Sequence, residues 1–163
     1  MVLTGFAPLP KPELVVEPVI GDVQAPIANG GIINYGTNSV GSYTWVYIVI
    51  RNTGNADLTD LSVTIDGPDQ FDFFGFLMDS RLEPGGITGF YATFNPFALK
   101  SSLTATLHIT SNDKERSPFN ITLQGSSIQA GDLDPAFANP SINGTVAATA
   151  LQADGKVVIG GSF

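Results

Sequence analysis

The chain contains no cysteine. A disulfide framework, a thiolate zinc site and a cysteine nucleophile are therefore excluded. The redox compartment stays open, because a β domain with a sufficient core does without disulfides even in an oxidising setting. Histidine occurs once, as His108. It lies between threonines on the outward face of its strand, with no acid close in sequence to orient it, and reads as a surface histidine rather than a ligand or base. Basic residues are few. Seven Lys and Arg stand against fifteen Asp and Glu, for a net charge of −8. That balance argues against charge-driven binding to nucleic acid or to an anionic membrane and is read as solubility. No apolar run approaches ~20 residues, so no membrane insertion is expected. The first residues lack the basic start and apolar core of a signal peptide. Gly85-Gly86 and Gly160-Gly161 precede neither a helix nor a Lys-Ser/Thr pair, so neither is a phosphate loop and no cofactor is implied.

Helical periodicity is also scarce. What is present is period-two alternation, punctuated by 18 glycines and 11 prolines. Tyr43 to Gly54 is the clearest strand: β-branched and aromatic residues closed by Asn52-Thr53-Gly54, with Gly54 read as free to take positive φ. Val46, Ile48 and Ile50 share one face; Trp45, Tyr47 and Val49 share the other. Apolar residues on both faces predict a central strand with something covering each side.

The other elements follow in order. Met1 to Lys11 holds Pro8 and Pro10 and reads as a linker or arm. Glu13 to Val16 is a short strand that Pro12 and Pro18 place at an edge. Gly31 to Gly36 holds a second short strand. Leu61, Val63 and Ile65 alternate until Gly67-Pro68 stops them. Phe71 to Phe76 is read as a strand or bulged segment packed into the core. Pro84 and Gly85 suit the central positions of a type II turn. Phe90, Ala92 and Phe94 point inward, as do Leu103, Ala105, Leu107 and Ile109. Phe119, Ile121 and Leu123 do the same, and Gly125 is expected to end that last strand. Seven or eight short strands with recurrent turns predict an all-β, antiparallel β-sandwich.

The turn-centred motifs carry a resemblance. They are Ile48 to Gly54, Leu82-Glu83-Pro84-Gly85-Gly86, Phe90 to Pro96, Leu107 to Asp113, Ser117-Pro118-Phe119 and Leu123-Gln124-Gly125. In that order they resemble the immunoglobulin-like domain of the Hydin and major-sperm-protein-like group, found in bacterial surface proteins as the choice-of-anchor D domain. The resemblance covers residues 12–127 and implies an immunoglobulin-like sandwich. It departs at Trp45, Tyr47 and Val49, where the family usually carries polar residues. Gly131 to Phe137 with Val146 to Phe163 resembles the opening of a delta-60 repeat, a bacterial β-propeller unit. Asp154-Gly155 suits a type I′ turn between its two apolar runs. Residues 128–163 then read as a linker plus the first hairpin of a repeat, and the chain as part of a longer protein.

Chemistry is sparse. Asp57, Asp60, Asp66, Asp69 and Asp72 match no calcium loop and read as turn residues rather than a metal site. Trp45, Tyr47 and Val49, with Tyr91 beside them, are either covered by another part of the chain or form an interaction surface. Val146, Ala148, Ala150, Val157 and Ile159 form a tail that is expected to find a sheet edge. The expected function is a non-enzymatic structural and interaction module of a bacterial exported or cell-surface protein. Its partners would be neighbouring domains or identical subunits, met by spacing, adhesion or assembly. The alternative is a carbohydrate-binding accessory domain of a secreted enzyme.

Overall fold

The computed structural model describes residues 9–75, 80–129, 143–152 and 157–162. The chain divides into two units, 1–131 and 132–163. The first is an all-β, immunoglobulin-like sandwich. Its strands are β1 (Leu14–Ile20), β2 (Val23–Gln24), β3 (Gly31–Ser39), β4 (Thr44–Asn52), β5 (Ser62–Asp66), β6 (Phe71–Phe74), β7 (Ile87–Phe94), β8 (Leu103–Thr110) and β9 (Phe119–Ile128). One sheet has the order β2-β1-β4-β7-β6 and the other β3-β9-β8-β5. Among the described residues nine strands form the sandwich, not seven or eight. The extra one is the two-residue β2, which is too short to leave a period-two trace.

The core lies between the sheets and follows the alternation. Ile48 and Ile50 of β4, Phe90, Ala92 and Phe94 of β7, and Leu107, Ile109, Ile121 and Leu123 of β8 and β9 are buried almost completely. Each of these Leu, Ile and Phe side chains contributes roughly 1.5–3 kcal/mol by leaving water. β4 lies between β1 and β7 in its sheet, the central place that its two apolar faces predict.

Several expectations change. The pairing is not wholly antiparallel, because β3 runs parallel to β9. β3 follows a crossing from one sheet to the other, and only a tight hairpin dictates an antiparallel return. β1 does not stop at Pro18. Val16 O accepts a hydrogen bond from Ile27 N (2.9 Å), on the side away from β4. Pro18, two residues on, turns its missing N–H the same way, where only Val19 and Ile20 have a partner in β2. Nor does Gly125 end its strand. β9 continues to Ile128, and a Cβ at Gly125 would fall 2.7 Å from the Phe94 ring. Gly54 is absent from the positive-φ glycines. It is needed because the Lys11–Glu13 backbone occupies the space of a side chain. Gly85, with φ 82° and Gly86 N bonded to Glu83 O at 2.8 Å, does form the expected type II turn.

One end of the sandwich is closed by buried polar side chains. Asn52 is fully buried. Its amide donates to Ala56 O (2.8 Å) and Leu82 O (2.9 Å), and its Oδ1 accepts from Gly54 N (3.0 Å) and Glu13 N (3.3 Å). Asp113 is 1% exposed. Its carboxylate accepts from Leu14 N (2.8 Å) and Glu115 N (3.0 Å), with Arg116 Nη1 at 3.4 Å. Burial pushes this carboxyl up, but the two N–H donors and the guanidinium outweigh it and hold it below its ordinary value. The arm is tied at its inner end, where Lys11 N donates to Asn55 Oδ1 and Asn55 N to Lys11 O.

The second unit is a hairpin of β10 (Thr145–Leu151) and β11 (Val157–Ser162), paired antiparallel with a bulge between Val146 and Ala148. The expected Asp154-Gly155 turn lies outside the described residues.

Two outcomes are expected. Asp113→Asn places an amide donor against an N–H and should destabilise the sandwich by about 3 kcal/mol, read by urea unfolding. A folded-state value below the ordinary 3.8 means that this stabilisation is complete above that pH and disappears as pH falls through the folded value. The variant should therefore lose less stability than the wild type on acidification. Separately, Tyr35 Oη is buried without a hydrogen-bond partner among the described residues, and burial pushes this phenol above its ordinary value. Tyr35→Phe should leave the melting temperature unchanged or raise it.

Candidate functional site

Strand register builds a surface on the outer face of the five-stranded sheet. Tyr47 of β4 pairs with Val19 of β1 and with Tyr91 of β7, and Tyr91 pairs with Phe74 of β6. These four residues form one row across four strands. Tyr47 and Tyr91 have ring centroids 4.9 Å apart at 48°; Tyr91 and Phe74 are also 4.9 Å apart, stacked at 11°. Trp45 sits two residues along β4 on the same face. Tyr43 joins it, 6.0 Å from Trp45 and 6.3 Å from Phe74. Cross-strand aromatic pairs of this kind contribute roughly 0.2–1 kcal/mol each to the sheet. They remain open to water all the same: Trp45 is 55% exposed, Tyr43 49%, Phe74 45% and Tyr47 37%.

The expected set was Trp45, Tyr47, Val49 and Tyr91. The structure brings Trp45, Tyr47 and Tyr91 together but buries Val49 to 6% exposure. Val49 lies in register with Glu17 on one side and Gly89 on the other, below the level of the rings. Tyr43 and Phe74 are additions. Phe74 was expected in the core with the rest of Phe71 to Phe76. Phe71 and Phe73 do turn inward against the core, and alternation puts Phe74 on the opposite face with Asp72. That signal is in the sequence, hidden by the density of phenylalanine. Phe76 lies outside the described residues.

Beside the row is a depression of about 760 Å³, lined by Tyr47, Tyr91, Val49, Gly89, Arg51 and Gln24 among others. Gly89 keeps its floor low. A Cβ there would fall 2.5 Å from Tyr47 Oη and 2.7 Å from Ile48 O, so the tyrosine side chain occupies the space a larger residue would need. At the far side Arg51 Nη2 lies 3.3 Å from Glu17 Oε2, and Gln24 Nε2 donates to the same oxygen at 2.7 Å. The depression thus joins an aromatic wall to a charge-balanced polar cluster.

His108 is elsewhere, on the other sheet. Its Nδ1 is 2.8 Å from Asn120 Oδ1. Its Nε2 lies 3.2 Å from Asp66 Oδ2 but without hydrogen-bond alignment. The pairing of β5 with β8 brings this acid close, which sequence separation concealed. The other acids are dispersed. Asp57 pairs with Arg81, Asp60 takes φ 57° and accepts from the Thr59 hydroxyl, and Asp72 accepts from Phe73 N. Among the described residues no three acids or histidines form a cluster able to hold a metal ion.

The tail residues lie on β10 and β11, paired with each other. Ala150 opposes Val158 and Ala148 opposes Gly160, whereas Val157 opposes Leu151 and Ile159 opposes Thr149. Ala148 and Ala150 therefore share one face, and Val157 and Ile159 the other. Val146 is offset by the bulge.

No protein-family model matches the sequence, and no curated protein sequence matches it. Solved structures do match. The chain is similar to the ASH / PapD-like domain 7 of human CEP192, with 17% identity and a TM-score of 0.45, over 79% of this chain and 94% of that one. It is similar to a protein of unknown function from Porphyromonas gingivalis W83, with 21% identity and a TM-score of 0.48, over 71% of this chain and 66% of that one. It is also similar to the secreted serine protease VesC from Vibrio cholerae, with 16% identity and a TM-score of 0.50. That match covers 71% of this chain but 25% of VesC, and it speaks for the fold alone.

Gly89→Ala should displace Tyr47, fill the floor of the depression and destabilise the sandwich by about 1–3 kcal/mol, the range for overpacking. Near-ultraviolet circular dichroism, which reports the coupled tyrosine rings, should change together with the unfolding midpoint. A variant matching the wild type in both would show that the close approach does not constrain the sheet.

Proposed function

We propose that the chain is a non-catalytic structural and interaction module of a bacterial exported or cell-surface protein. The outer face of the five-stranded sheet is its contact surface. One observation carries the reading: Tyr43, Trp45, Tyr47 and Phe74 gather around the half-buried Tyr91 on a sheet face and stay open to water. A contiguous aromatic patch of this kind is the usual composition of an interface centre and is disfavoured on a surface with no use for it. The motif resemblance to the choice-of-anchor D domain and to the opening of a delta-60 repeat supports the exported, bacterial setting. Assembly by strand addition is supported by the hairpin, in which every described side chain but Ile159 is exposed. A two-stranded ribbon alone is marginal in water and gains from a third strand.

The test is co-sedimentation of the intact chain with washed bacterial envelopes. The wild type should be retained. A Trp45→Ser, Phe74→Ser, Tyr91→Ser variant with an unchanged far-ultraviolet spectrum should be retained at least tenfold more weakly. Equal retention of the two proteins, or none of either, would remove the face from the reading.

A further inference from the structure

Resting on that reading of the face as a contact surface, we propose that the depression beside the tyrosine row binds a neutral oligosaccharide. The ligand packs a sugar ring against Tyr47 and Tyr91 and sets its hydroxyls on the Gln24–Glu17–Arg51 cluster. Four observations select this chemistry.

The first is backbone accounting. The polar end of the depression lies over β4, where Tyr47, Val49 and Arg51 are paired on both sides, with β1 and with β7. The N–H and C=O groups of β4 are therefore already used, and an extended peptide has no ladder to join there. Binding over β4 must come from side chains.

The second is the pairing of an apolar wall with planar polar groups. A pyranose ring has a C–H face and a rim of hydroxyls. The C–H face suits the rings of Tyr47 and Tyr91, 4.9 Å apart. Vicinal hydroxyls suit flat groups that donate or accept in pairs, and the cluster holds a guanidinium, a carboxylate and an amide.

Charge is the third. Arg51 faces Glu17 at 3.3 Å, so the polar cluster is balanced, and the chain as a whole carries −8. An anionic glycan would meet a repulsive field with no uncompensated cation in the cluster to offset it. A neutral sugar meets no such cost.

The last is size. About 760 Å³ lies within the 300–1,000 Å³ of ordinary small-ligand sites. At the floor of the depression Gly89 leaves room for the Tyr47 side chain that forms the wall. Such a module would work as an accessory domain of a secreted enzyme or as an adhesive domain on a cell surface.

The experiment titrates the intact chain by isothermal calorimetry with neutral hexasaccharides of glucose, xylose, mannose and N-acetylglucosamine, and with an oligogalacturonate as the anionic control. At least one neutral sugar should bind, the oligogalacturonate at least tenfold more weakly. Tyr91→Ala should weaken the neutral sugar at least tenfold. Gln24→Ala, at an exposed position outside the core, should weaken it severalfold without altering the unfolding midpoint, so a folding defect in Tyr91→Ala cannot mimic the result. Binding of none of the four sugars, or binding unaffected by both substitutions, overturns the proposal. Envelope retention separates its failure from that of the broader reading. Retention abolished by periodate, which cleaves vicinal diols, and spared by proteinase K supports the sugar. Retention spared by periodate and abolished by proteinase K overturns it while keeping the face as a contact surface. Equal retention of wild type and triple variant rejects both.

Discussion

The register between β4 and β7 is the constraint from which the rest of the sandwich follows. Ile48 faces Phe90 across these strands, and both are out of water. The side-chain period is two, so a slip of β4 by one residue against β7 would turn Ile48 and Ile50 to solvent and bury Tyr47 instead. Burial of the inner set therefore fixes the outer set as well. Tyr47 stands opposite Tyr91 because Ile48 stands opposite Phe90. The aromatic face inherits its geometry from the core, although none of its rings belongs to the core.

At one end of the sandwich the same logic is polar. Asn52 and Asp113 are buried at turn positions and spend their side-chain bonds on backbone groups of β1 and neighbouring loops. A buried amide or carboxylate is tolerable only when its bonds are made. These two residues lock the start of β1 and the Leu82–Gly86 turn to the end of β4. The turn motifs are thus structural closures. They account for the recognisable look of the sequence without supplying any chemistry.

The proposed contact surface, by contrast, lies where the local rules are relaxed. The inner face repeats the pattern expected of a sandwich, and His108 and the scattered aspartates have local partners or turn conformations. The outer face of β4, β6 and β7 departs from the usual polar coat and joins rings to a balanced Gln24–Glu17–Arg51 cluster. Neither part alone would mark a site. Rings alone would suit any apolar partner, and a surface ion pair alone contributes little. Their adjacency over β4, whose backbone is paired on both sides, is what narrows the proposed chemistry.

The sequence by itself determined the all-β class, the central place of β4, the inward residues of β7, β8 and β9, and the type II turn at Pro84-Gly85. These are local properties: alternation, β-branching and turn chemistry act between residues close along the chain. Tertiary structure alone decided that β3 joins β9 in parallel, that Gly54 and Gly125 serve close approach, and that Val49 is covered. It also decided that Gln24, Glu17 and Arg51 meet beside Tyr47, and that Asp66 reaches His108. Each of these depends on which strands become neighbours, and neighbours far apart in sequence are chosen by burying the whole inner surface at once. No single stretch of residues carries that information, because none of them can exclude water on its own.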